Sequence, residues 1–283
     1  CARRCIRTGV GREGHHVKAS RRFVRWAVVG ATAVAGLALV VAVGAFLLRG
    51  SPAPVPLEQA RRDFAQLGAD GGGSGLAPGV YRAEGSGDGV PDRPRTRQQD
   101  GSVMPVTVRS SKPGCSSWLI EYNTSHSQGV ELCREDGTVS VVARSNFQAF
   151  DFGVATVSNR SEFRCDPAIA VGGSSERARP SRVRCHGDDS ALGGAVTTEL
   201  DDEYLAPREI TVDKRRVAVE RQRWTQKLVG ERSGTLVEEW WFDRSSGMPV
   251  RASRRYQLET STPIGRVGYR ETGSWSLASL DPS

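Results

Sequence analysis

Charge is missing from one long stretch. Between Trp26 and Leu48 the chain carries no ionisable residue, and Thr32 is its one polar side chain. A helix of that length rises about 34 Å, enough for the hydrocarbon core of a bilayer. Thr32 can return its hydroxyl to a backbone carbonyl, so the run reads as an anchor rather than a pore. A second absence follows it. The formal charge is +7, yet nine of the 39 basic residues and only one of the 32 acidic residues lie in the first 49 positions, leaving 30 against 31 beyond them. That near-neutral remainder has no excess of cations to neutralise phosphates, so nucleic acid is not an expected partner. Its one basic cluster, Lys214-Arg215-Arg216, adjoins Asp213 in the manner of a solvated hairpin turn. The remainder also lacks a G-x-S-x-G elbow and a C-x2-C pair, and it holds only two histidines, His126 and His186.

The positive residues that are present set orientation. Arg21, Arg22 and Arg25 precede the apolar run and Arg49 follows it. By the positive-inside rule the N-terminus stays cytoplasmic and the long C-terminal part is exported. A cleaved secretory signal is the rival, but its apolar region is shorter and ends at small residues. The expected organisation is a basic cytoplasmic tail (1–22), a transmembrane signal anchor (23–49), a Pro-rich spacer (50–56) and an extracytoplasmic β-rich domain (57–283). The location is therefore the cell membrane, single pass. Ala31, Ala35, Ala38, Ala42 and Ala45 form a small-residue seam suited to self-association of such helices. Ahead of the run, Cys1, Cys5, His15 and His16 do not match the H-x3-C-x2-C spacing of a cytoplasmic zinc module.

Cysteine usage agrees with export. Cys115, Cys133, Cys165 and Cys185 are an even set in an oxidising compartment, and four cysteines allow three pairings. Spacing favours Cys115 with Cys133 and Cys165 with Cys185, each bracketing a hairpin. In the first, Trp118–Tyr122 and Gly129–Cys133 flank the polar turn Asn123–Gln128. A fold centred on Thr124 sets Cys115 opposite Cys133, whereas a fold centred on the middle of that turn puts Trp118 there instead. Both registers remain open. Zinc is the other use of four cysteines, without the usual ligand spacing here.

Leu57, Ala60, Phe64 and Leu67 recur at helical spacing and predict a short helix that stops at Gly68. Beyond Gly79 the pattern is strand after strand: Val80–Ala83, Val103–Arg109, Trp118–Tyr122, Val130–Cys133, Val139–Ala143, Val154–Ser158, Glu162–Cys165, Val183–His186, Ala195–Leu200, Glu209–Val212, Arg216–Gln222, Leu236–Phe242, Pro249–Leu258 and Val267–Leu277. Turn signals such as Glu135-Asp136-Gly137, Asp213-Lys214 and Ser245-Ser246-Gly247 separate them, so short connections predict an antiparallel meander. Trp240 and Trp241 are adjacent and must face opposite sides of one strand. One joins the core, and the other lies under the helix or lines a cavity; Trp118 belongs with them as a core or cavity aromatic.

The run Glu239-Trp240-Trp241-Phe242-Asp243-Arg244-Ser245-Ser246-Gly247-Met248-Pro249-Val250-Arg251 resembles the penultimate hairpin of the lipoprotein-carrier superfamily. With Pro78-Gly79-Val80-Tyr81 and the four cysteines, the layout is also similar to uncharacterised membrane-anchored proteins of high-GC bacteria. The first resemblance implies an N-terminal helix on a concave antiparallel sheet, with an apolar cavity for acyl chains. The fold class expected is thus α+β, mainly antiparallel β, with one N-terminal transmembrane helix and then a short helix packed on a curved half-barrel. Two disulfides and the tether depart from diffusible carriers and fit a tethered sensor better.

Catalysis has little in its favour. His126 falls in the polar hairpin turn and His186 adjoins Cys185, each read as a surface residue. The acidic pairs Asp188-Asp189, Asp201-Asp202-Glu203 and Glu238-Glu239 face apart on strands or are solvated in loops. The expectation is a non-enzymatic, cofactor-free binding or sensor domain for lipid or lipoprotein. A cell-envelope hydrolase, or an interaction protein of the envelope without a ligand cavity, are its alternatives.

Overall fold

The computed structural model describes residues 52–67, 76–92, 97–151, 156–172, 181–190, 194–230, 232–262 and 265–283. The expected anchor, the Ala31–Ala42 seam, Cys1, Cys5, His15, His16 and the Gly68 helix stop lie outside them. Among the described residues no helix is long and apolar enough to cross a membrane.

One helix, α1 (Leu57–Gln66), precedes thirteen strands: β1 (Gly79–Pro91), β2 (Gln98–Gln99), β3 (Val103–Lys112), β4 (Cys115–Asn123), β5 (His126–Glu135), β6 (Thr138–Asp151), β7 (Thr156–Val171), β8 (Ser181–Asp189), β9 (Gly194–Val212), β10 (Arg215–Leu228), β11 (Arg232–Asp243), β12 (Pro249–Thr262) and β13 (Gly265–Leu277). Pro56 starts α1, where a missing N–H costs nothing, and the helix runs against β1 and β3. Ala60 is buried and the Arg109 guanidinium lies 5.6 Å from the Phe64 ring centre. Leu67 does not continue the stripe; it is 64% exposed beyond the last turn.

The meander is as the turn signals predict, each strand from β3 to β13 pairing with the next. Asp136-Gly137 and Asp213-Lys214 have positive φ at both positions, the two-residue turn whose twist matches that of the strands. The half-barrel does not hold. β13 returns to pair with β1 from Ala83↔Leu277 to Pro91↔Tyr269, closing a barrel of twelve strands, with β2 laid beside β1 as the thirteenth. The class is therefore all-β with one ten-residue helix, in place of α+β.

Closure depends on glycine. Gly85, Gly87 and Gly89 take the inner face of β1 opposite Trp275, Gly273 and Glu271 of β13. A Cβ on Gly87 would lie 2.2 Å from Asp100 Oδ2 and 2.8 Å from Gly273 Cα, and one on Gly85 would meet Ser274 O at 2.1 Å. A side chain at either position would strike the backbone of β13 and, at Gly87, the Asp100 carboxylate. Propensity alone ends the first strand at Ala83, since Gly85-Ser86-Gly87-Asp88-Gly89 has little of it for strands. Two further pairs of expected strands are single elements: Val154–Ser158 with Glu162–Cys165 in β7, and Ala195–Leu200 with Glu209–Val212 in β9.

Along β8 to β11 the outer wall carries ion pairs, among them Arg182–Asp201 (3.1 Å), Arg184–Glu199 (3.3 Å) and Arg223–Glu203 (3.1 Å). A barrel that crosses a membrane presents an apolar band there instead.

Candidate functional site

Side chains alternate strictly along β11: Leu236, Glu238, Trp240 and Phe242 point inward, while Glu239 and Trp241 point out. The same rule on the other strands fills one part of the barrel with aromatic rings. Trp118, Trp224, Trp240 and Trp275 are all at most 2% exposed. Trp118 stacks on Trp275 at 5.1 Å and meets Trp240 edge-on at 5.8 Å, and Trp224 lies 5.3 Å from Trp240. Trp118 and Trp240 are thus core. Trp241 lies neither under α1 nor in a cavity; it is half-buried on the outer wall, 5.3 Å from the Arg221 guanidinium.

The rest of the interior is polar and ionised. Glu238 accepts from Gln128 Nε2 (2.8 Å), Arg144 Nη2 (2.6 Å), Trp240 Nε1 (2.9 Å) and the Tyr256 hydroxyl, which occupies all four lone-pair directions of a carboxylate. Arg144 also lies over the Trp224 ring at 5.0 Å. A second centre surrounds Arg254, which is 6% exposed. It donates to Glu271 through Nε and to both oxygens of Asp100 through Nη2 (2.9 and 2.7 Å), and it covers the Tyr122 ring at 3.8 Å. Tyr269 donates its hydroxyl to Glu271 at 2.6 Å, and His126 Nδ1 stands 3.8 Å from the same carboxylate. Burial opposes ionisation of Glu271, but the Arg254 and His126 charges with the Arg254 and Tyr269 hydrogen bonds hold its carboxyl below the usual range. Burial pushes the His126 imidazole down, against the pull of Glu271.

Asp100 reaches this centre because residues 97–101 fold across one end of the barrel. Gln98 donates to Ala149 O on β6, Asn123 Nδ2 donates to Gln99 O (3.1 Å), and the Asp100 N–H donates to Gly87 O (3.0 Å).

Between the charged centres and the β6–β10 wall lies a cavity of about 90 Å³. Its charged side includes His126, Glu238, Glu271 and Arg144; the opposite side is Ser161, Thr198, Gln226, Phe163 and Leu228, with an Asp189–Arg232 pair (3.3 Å) alongside. Ser161 and Thr198 are 7% and 8% exposed, and among the described residues their hydroxyls have no side-chain partner.

Both expected disulfides are formed. Cys115 is opposite Cys133 in the register centred on Thr124, and a bulge between Glu121 and Asn123 brings Asn123 opposite His126 at the turn. That bulge moves His126 from the turn onto β5 and into the interior, 3% exposed, which overturns its reading as a surface residue. His186 is exposed on the outer wall, with Nδ1 2.8 Å from Thr197 Oγ1. The Cys115–Cys133 bridge is on the outer face beside Glu131, with Cys115 buried and Cys133 half-buried; Cys165–Cys185 belongs to the core, and Cys185 lines the cavity.

The acidic pairs are split as alternation requires, but their inner members are not solvated. Asp189, Asp202 and Glu238 are 4%, 1% and 4% exposed. Asp202 stands apart from the charged centres. Its Oδ1 has no hydrogen-bond partner among the described residues, and burial pushes its carboxyl up to about 7 with the Trp224 indole opposing the rise. Arg144, Arg254, Glu271 and Asp100 carry no motif. Their one sequence signal is phase: Arg254 shares a face with Val250 and Ala252, and Glu271 with Trp275.

Protein-family models, characterised proteins and solved structures were compared with the chain, and none matches.

Proposed function

We propose that the protein is a single-pass, membrane-tethered extracytoplasmic binding domain, and that it holds a small hydrophilic ligand inside the barrel without transforming it. The observation that carries this reading is the cavity, where Glu238, Glu271, Ser161 and Thr198 present polar groups between Val196, Leu228 and Leu258. A concave site with a few convergent polar groups is where a small ligand is held. About 90 Å³ is room for about six waters, and the rest of the interior is filled by four tryptophans. A water-soluble ligand is therefore favoured over the lipid that the carrier resemblance suggests.

Support for a binding rather than a catalytic role comes from saturation. Glu238 already accepts four hydrogen bonds, and Glu271 is held by Arg254 and Tyr269 with His126 close by. Glu238 has no lone pair left for a general base, Arg254 holds the Glu271 carboxyl below the usual range and so makes it a weak one, and among the described residues the His126 ring meets Glu271, Asn146 and Tyr122 rather than a serine or threonine hydroxyl. Tether and export rest on the apolar run, the arginines ahead of it and the disulfides.

The test is a thermal-unfolding screen of small hydrophilic compounds on the full chain beside a Thr198→Phe variant that fills the cavity. A compound that raises the midpoint of the parent by several degrees and leaves the filled variant unmoved is expected. Equal shifts in both proteins, or stabilisation by acyl chains alone, would overturn the reading.

A further inference from the structure

The two ends of the barrel present different chemistry to solvent. At one end the turns after β5, β9 and β11 expose charge through Glu135, Asp136, Asp213, Lys214 and Arg244. At the other, where residues 97–101 cross the mouth, Val229 just beyond β10 is 93% exposed and Val157 at the start of β7 is 53% exposed. They belong to separate hairpins, β6–β7 and β10–β11, which the antiparallel meander brings to the same end. By composition alone, other connections at this end are apolar, with Phe152, Val154, Leu192 and Ile264, or basic, with Arg93, Arg95 and Arg97. Apolar side chains left in water on hairpin tips mark a surface with a partner.

The chain enters the barrel at this same end. Ala53 O accepts from the Thr124 N–H at the β4–β5 turn (2.9 Å), and a Cβ on Gly101 would lie 3.2 Å from Pro54 Cβ. The uncharged apolar run ends at Leu48, five residues before Ala53, a span of at most about 18 Å when fully extended. The fourteen residues of β10, tilted as barrel strands are, set the two ends about 35 Å apart. The link is therefore too short for the charged end to face the bilayer that holds the run. A barrel lying on its side would press Arg182–Asp201 and Arg184–Glu199 into the interface.

Resting on the tether proposed above, we infer that the mouth end is a membrane-contacting surface, with Val229 and Val157 seated in the interfacial layer of the phospholipid bilayer. The arginines of the β1–β2 connection suit anionic headgroups beside them. The cavity lies toward the same end, since Leu228, Asp189 and Arg232 line it.

A fluorescent probe on a single thiol tests this in the full chain, reconstituted in vesicles of phosphatidylcholine and phosphatidylglycerol with a nitroxide on the upper acyl chain. Cys1→Ser and Cys5→Ser leave one reactive thiol in each of Val229→Cys, Val157→Cys and Arg244→Cys, because the other four cysteines are bonded. Quenching at 229 and at 157 should exceed that at 244 by at least about fivefold, as expected of side chains seated at the headgroup boundary. Two positions on separate hairpins keep the result readable where one variant fails to fold. Equal quenching at all three, the result for a barrel on its side, overturns the inference. So does an unquenched probe at 229 and 157, including one whose emission is blue-shifted because a second copy covers it. In those cases a chain that resists alkaline carbonate extraction leaves the tether standing. Release of the chain by carbonate overturns the tether and this inference together.

Discussion

Glu238 is the residue on which most of the interior converges. Four donors from four strands end on one carboxylate, so truncation leaves the largely buried Arg144 cation facing the Trp224 ring without its carboxylate. Removing one partner of a buried pair costs about 3–5 kcal/mol. Glu238→Ala should therefore lower stability by about that amount in chemical denaturation, while a change to its outward neighbour Glu239, whose partners Arg221 and Arg223 are on the surface side, should cost under about 1 kcal/mol. Asp202 gives a pH signature of its own. Its folded carboxyl titrates at about 7 against an ordinary 3.8, so between those values the folded state holds a proton that the unfolded state has released. Stability should then fall as pH rises from about 4 to about 7 and level off above, by up to roughly 4 kcal/mol from this group. Asp202→Asn should flatten that slope and raise the unfolding midpoint at pH 8. His126 runs the other way. With its imidazole held below 6.5, the unfolded chain takes up the proton first as pH falls through that value, and stability drops on the acid side. Denaturation curves of Asp202→Asn and His126→Gln across pH 4–8 separate the opposing slopes.

At the scale of elements, the closing seam and the two bridges carry the argument. Gly87→Val places a branched side chain where Asp100 and Gly273 already stand. It should cost at least about 3 kcal/mol and strip β1 and β13 of hydrogen-exchange protection ahead of the remaining strands. The bridges close loops of similar size, with sequence separations of 18 and 20, so the chain-entropy contribution is about 3 kcal/mol for each. Their surroundings differ, since Cys165 and Cys185 also fill the interior. Double replacement by Ser should therefore destabilise more at Cys165–Cys185 than at Cys115–Cys133, as denaturant midpoints will report. The seam also explains what the sequence could and could not disclose. Strand periodicity, turn residues and the Cys spacing carry the meander and both disulfides. Closure was hidden because Gly85, Gly87 and Gly89 carry no propensity, and because the partner strand lies at the far end of the chain. The site was hidden for a related reason: each of Glu238, Asp202 and Asp189 looks like half of a solvated acidic pair, and only the phase set by Trp240, Leu200 and Cys185 turns it inward. His126 was masked by a single bulge.

The barrel combines a filled aromatic interior, which fixes it, with a polar interior that leaves a small cavity. The first supplies rigidity, and the second supplies hydrogen-bonding groups aimed at one place. On the proposed reading, the domain meets its ligand outside the cell and keeps it intact. The most direct measurement of that claim is native mass spectrometry of the full chain purified from membranes, followed by denaturation and identification of what is released. The expected result is one hydrophilic small molecule per chain, recovered chemically unchanged after incubation, and absent from the Thr198→Phe protein. Release of acyl lipid, conversion of the compound during incubation, or an equal yield from the filled variant would contradict it.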